Sequence, residues 1–112
     1  MNDSIEAFVK DLKANNRFQD VMIVSFSEFG RRVTQNASNG TDHGTANNMF
    51  FISGGLKKPG LINSMPDLSD LQDGDLKHSV DFRNVYATLL QKWLGADDLN
   101  ILGRRFQQFD FI

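Results

Sequence analysis

The run VMIVSF, residues 21–26, decides how the fold reads. It is short, nearly all apolar and β-branched at Val21, Ile23 and Val24. Such a run suits a strand covered on both faces, as in a parallel sheet. Upstream, Ile5, Phe8, Val9 and Leu12 fall at i, i+3, i+4 and i+7 within Asp3 to Asn15, forming one apolar stripe of a helix. Asp3 is placed to cap this helix and Glu6 to reach back in a capping box. Helix, short connection and buried strand make the rhythm of an α/β fold.

Downstream, residues 27–47 are rich in Gly, Asn, Ser and Thr and read as a long loop, a kind that is usually functional or disordered. NMFFIS, from Asn48 to Ser53, reads as a second short strand, broken by Gly54-Gly55. Residues 56–80 hold both prolines and many aspartates and read as irregular, with turns and one short strand at most. Asp81 to Leu94 is the clearest helix. Phe82, Val85, Tyr86, Leu89, Leu90, Trp93 and Leu94 keep the helical period, with Asp81 as N-cap and Gly95 as stop. The end of the chain, FQQFDFI, is apolar enough that it must pack on something.

The 112 residues fit one domain, taken as 1–112, and 40% hydrophobic residues with ten phenylalanines supply a core. A net charge of −2, with both signs scattered, gives no electrostatic case for nucleic acid. The absence of cysteine removes disulfides, thiolate chemistry and cysteine-type zinc sites. No apolar run approaches the ~20 residues that span a bilayer. MNDSIEAFVKDLK reads as a charged amphipathic helix and not as a signal peptide, so the compartment stays open.

The residues with chemistry cluster after the first strand. Asp42 and His43 stand side by side between Gly40 and Gly44, where a bent backbone can turn both toward one point. Carboxylate plus imidazole is a ligand set for divalent metals, with Zn, Mn, Fe and Ca not distinguished. The same pair also reads as a polar turn with an exposed histidine. Glu28 follows the strand end, where ligands of open α/β sheets gather, and is a further metal candidate. Arg31 is suited to grip a phosphate, sulfate or carboxylate. Glu28 with Arg31 or Arg32 also reads as a plain surface pair. His78 is a weaker candidate ligand, placed before the long helix. DLSDLQDGDL, from Asp67 to Leu76, lacks EF-hand spacing, and turn chemistry accounts for its aspartates. Phosphate-loop, dinucleotide-binding and nucleophile-elbow motifs are absent.

SEFGRR, NASNGTDHG, DGDLK and DFRNVY occur in that order and carry a family resemblance over nearly the whole chain. The sequence resembles the C-terminal part of domain-of-unknown-function family 1501, grouped with the alkaline phosphatase and sulfatase superfamily. The resemblance implies part of a three-layer α/β/α sandwich around a mainly parallel sheet. It implies a metal-dependent hydrolase of phosphate or sulfate esters, with Asp42 and His43 as the matching metal ligands. Members of the family are longer, and their N-terminal part carries an export signal and the rest of any metal site. No nucleophile can be located in these residues, so the catalytic residues are unknown. A homo-oligomer or a companion chain is expected to supply the missing N-terminal half. The alternative is a non-catalytic remnant that pairs with another chain, through the FQQFDFI tail and the Trp93 helix.

Overall fold

The structure, a computed structural model, describes residues 2–112. Helix α1 (Asn2–Ala14) is followed by strands β1 (Ile23–Ser25), β2 (Gly30–Gln35), β3 (Thr41–Gly44), β4 (Phe50–Ile52), β5 (Leu71–Gln72) and β6 (Asp75–Leu76). Helix α2 (Phe82–Thr88) runs straight into a π-helical turn (Leu89–Trp93), and a short helix α3 (Asp98–Leu102) comes last.

The strands form three separate antiparallel pairs, β1–β4, β2–β3 and β5–β6. The parallel sheet and the three-layer sandwich expected from the sequence are therefore wrong for this chain. Among the described residues it is a small mixed α/β domain. The error traces to VMIVSF. A short apolar run cannot report by periodicity whether its strand has neighbours on both sides. Here β1 has one neighbour, β4, with Ile23 opposite Ile52 and Ser25 opposite Phe50. Ile23 and Val24 are half-buried, and Ser25 and Phe26 are exposed.

The presumed loop 27–47 is mostly the β2–β3 hairpin. Its strands carry polar residues on both faces, so no alternation marks them. The turn residues do: Asn36 accepts from the amides of Ser38 and Gly40, and Asn39 adopts a φ of 60°. An Asx-type side-chain bond and a left-handed Asn before Gly are what a tight reversal needs. The β5–β6 hairpin lies inside the stretch read as irregular. Asp73 (φ 52°) and Gly74 (φ 84°) are its two loop residues, the signature of a type I′ turn.

The core gathers side chains from α2, β4 and the chain's last residues. Val85, Phe111 and Ile112 are buried, and Met22, Phe51, Leu89 and Trp93 pack against them. The Phe51 and Phe111 rings lie 4.9 Å apart. The FQQFDFI tail is thus part of the chain's own core and not a free docking surface. Two bonds hold it there: the buried Thr88 hydroxyl accepts from the Phe109 amide at 2.9 Å, and Lys57 N donates to the Phe111 carbonyl at 2.8 Å. Asp81 caps α2 as expected, accepting from the Arg83 amide. The Arg83 guanidinium bonds the same carboxylate and holds its pKa down to about 2. Asp3 lies inside the first turn of α1 and does not cap it.

This core is thin. The radius of gyration is 16.7 Å, against roughly 13 Å for a compact chain of this length. The exposed surface is 8221 Å², about 2,000 Å² more than a folded monomer of this mass usually shows. Helix α1 contributes to the excess. Of its apolar stripe only Leu12 is buried, while Phe8 is 48% exposed.

Candidate functional site

The sequence-predicted residues gather on the β2–β3 hairpin and its neighbour. Asp42 and His43 are successive residues of β3. Successive strand residues point to opposite faces, so the bend expected to turn both toward one point is replaced by a strand. Their neighbours differ accordingly. The Asp42 carboxylate accepts from the Asn36 side-chain amide at 2.9 Å. The His43 ring stacks on Phe29 with centroids 3.7 Å apart and planes 17° from parallel.

Arg31 is directly across from His43 in the ladder. Its guanidinium donates to the Thr41 carbonyl at 2.7 Å and lies 5.5 Å from the Phe29 ring. Phe29 is therefore a platform shared by an imidazole and a guanidinium, and both His43 and Arg31 are exposed. Glu28 is exposed in the bend between β1 and β2. It forms an ion pair with neither arginine. Arg32 pairs instead with Asp75 of β6, at 3.5 Å.

That ion pair ties the two hairpins together. Gly44 of β3 permits it: a Cβ there would lie 2.9 Å from the Asp75 Oδ1 and 2.8 Å from the Arg31 carbonyl carbon. One Asp75 carboxylate oxygen is buried without a hydrogen bond. Thr45 Oγ1 reaches the Leu76 carbonyl at 3.4 Å. A cleft of about 250 Å³ beside the β5–β6 hairpin is lined in part by Thr45, Asp73, Asp75 and His78. The chain thus brings SEFGRR, TDHG and DGDLKH, far apart in sequence, into one corner. Sequence reading assigned Asp75 to turn chemistry and missed Arg32 as its partner. The Asp73-Gly74 turn signal was the available clue.

Among the described residues, no three His, Asp or Glu side chains come close enough to hold a metal ion. Asp42 and His43 have suitable donor atoms but face different neighbours, and neither Glu28 nor His78 completes a set with them. By themselves these residues do not fit a bound metal.

A family model described as protein of unknown function, DUF1501, matches residues 1–108. The chain belongs to the DUF1501 family. The motifs that carried the resemblance lie within the matched residues, and three of them meet at the hairpin corner. No curated protein and no solved structure matches this DUF1501 chain. No helix among the described residues is long and apolar enough to cross a membrane.

Proposed function

We propose that this chain is the C-terminal portion of a phosphatase- or sulfatase-like hydrolase. In this reading it contributes one of Asp42 and His43, which point to opposite faces of β3, to a divalent-metal site whose other ligands lie outside the described residues. Arg31 is the anion-binding group. The supporting observation is the convergence of the family motifs into one exposed, polar corner, with no apolar core that would explain it by packing. Zinc takes three or four protein ligands, so one residue is an incomplete site. This chain's own residues hold the corner in shape: Arg32 and Asp75 lock the two hairpins, and Phe29 supports His43 and Arg31.

Zinc and manganese titrations by calorimetry test the reading, with the purified chain beside Asp42→Ala/His43→Ala. Weak binding that the double variant loses supports it. No binding by either protein, with both folded, overturns a metal role for these residues.

A second reading is favoured by the excess of exposed surface: the chain is a module that pairs with another chain, with or without chemistry. Pairing would then be unchanged in Asp42→Ala/His43→Ala.

A further inference from the structure

The tip of the β2–β3 hairpin is the one place where this chain sets an asparagine directly before a glycine, Asn39-Gly40. Asparagine is a thermolabile residue. The backbone nitrogen of the residue that follows it can attack its side-chain carbonyl carbon, and glycine, with no Cβ, leaves that nitrogen unshielded. The step balances with solvent alone. The Gly40 nitrogen bonds to Asn39 Cγ, the Cγ–Nδ2 bond breaks, and ammonia leaves with the amide proton. Water then opens the cyclic imide at either of its carbonyls, giving aspartate or isoaspartate. Asn39 and Gly40 are both exposed, so water has access to them.

The turn holds this pair back through one side chain. Gly40 N donates to Asn36 Oδ1 at 3.0 Å, which engages the proton that must leave. Asn36 N donates to the Gly40 carbonyl at 2.8 Å, and Asn39 N donates to the Asn36 carbonyl at 3.2 Å. Both residues of the reacting pair are therefore tied to Asn36. The same bonds fix Asn39 in the left-handed region, at φ 60°, and ring closure from there requires its backbone to rotate. Asn36 is itself braced, because its Nδ2 donates to Asp42 Oδ1 at 2.9 Å.

We infer that Asn39-Gly40 is a self-modification site of this chain and that Asn36, braced by Asp42, is the latch that keeps it unreacted. The latch gives Asp42 a task on its own face of β3 that needs no metal, so the inference stands apart from the hydrolase reading. Opening it alters the candidate site. Isoaspartate inserts an extra methylene into the backbone of the turn and adds a carboxylate. Asp42 and His43 follow Asn39 by three and four residues, in the strand that this turn registers against β2. The rate at which the hairpin ages is thus set by the hydrogen bonds of Asn36.

Incubation of the full chain in warm, mildly alkaline buffer, followed by mass spectrometry of the tryptic peptide 33–57, tests it. The free peptide 33–57, in which no latch forms, sets the reference rate. The parent converts Asn39 at least about tenfold more slowly than the peptide, the factor that one net hydrogen bond supplies. Asn36→Ala removes the acceptor and raises the rate about tenfold, with fragmentation locating the product at Asn39. Asp42→Ala leaves the acceptor in place and gives a smaller rise. Hydrogen exchange at the Gly40 amide is slow in the parent and fast in Asn36→Ala, while exchange in α2 stays unchanged, which separates an open turn from an unfolded chain. Adding Gly40→Ala to Asn36→Ala slows the reaction again. A Cβ at Gly40 meets only the Asn36 side chain, at 3.7 Å, so the turn tolerates it while the nitrogen is shielded. A parent that reacts as fast as the peptide overturns the latch. An Asn36→Ala chain that reacts no faster than the parent overturns the role of Asn36, and an Asp42→Ala chain that shows no rise overturns the brace. A reaction that Gly40→Ala fails to slow overturns attack by that nitrogen.

Discussion

The two ends of this molecule are built on different principles. Around Val85, Phe111 and Ile112, apolar side chains from α2, β4 and the chain's last residues exclude water. At the β2–β3 and β5–β6 hairpins no apolar side chain is buried, and turns, one ion pair and side-chain bonds to the backbone hold the shape. The first end is held by burial, which is non-directional and tolerant of polar surroundings. The second is held by geometry, which places polar atoms well but contributes little stability. Exposed ion pairs and single hydrogen bonds are worth on the order of 1 kcal/mol or less each.

Substitutions should separate the two ends sharply. Phe111→Ala empties the centre of the core and costs about 3–5 kcal/mol. That is a large part of the stability of so thin a domain. Chemical denaturation should find the variant largely unfolded, and an unchanged midpoint would mean that the ring is not central. Next comes Arg105→Met. Its guanidinium is the partner, at 2.5 Å, of Asp98, which is 0% exposed. Stranding that carboxylate costs about 2–3 kcal/mol, below the fully buried range because Arg105 itself is largely solvated. Asp98→Asn/Arg105→Met should recover part of the loss.

Thr88→Val is smaller. It removes the acceptor of the half-buried Phe109 amide, costing about 1–2 kcal/mol. Hydrogen exchange at Phe109 should accelerate more than elsewhere in the tail. At the polar end, Asp42→Asn should shift the denaturation midpoint by no more than about 0.5 kcal/mol. A larger loss would show that the hairpin carries stability and is not merely displayed.

Acid probes the boundary between the ends. Asp81 binds protons less readily when folded, because Arg83 bonds its carboxylate. The unfolded chain therefore takes up the proton first as pH falls. The contribution of this cap to stability is complete above the ordinary carboxylate range and is lost as pH drops toward about 2. A carboxyl titration followed by NMR checks it, and a midpoint near the ordinary value of 3.8 would show the Arg83 contact absent.

What could be read in advance follows the same division. Helix α2 was legible because Asp81 and the apolar spacing agree, although Leu89 to Trp93 changes to a π turn that no spacing marks. Helix α3 has equally plain signals, Asp97 as cap and Gly103 as stop, in a stretch to which the sequence reading assigns no element. The β1 strand was legible, but its neighbours were not, because burial on one side or two gives the same short apolar run. The polar hairpins were the hardest to see. Their strands do not alternate, and only Asn39-Gly40 and Asp73-Gly74 announce them. The candidate site was legible as residue types at Asp42 and His43. Their orientation was not, since it depends on whether Gly40 and Gly44 bend the chain or end a strand.

The thin core has a calorimetric consequence. Unfolding raises the heat capacity in proportion to the apolar surface it exposes, about 12–15 cal/mol/K per residue in ordinary domains. A chain that already leaves Phe8, Phe26, Phe50, Phe82 and Leu94 in water has less left to expose. Its heat capacity change should fall below that range, its enthalpy should vary little with temperature, and its thermal transition should be broad. Whatever covers those side chains would restore both the heat capacity step and the sharpness of melting.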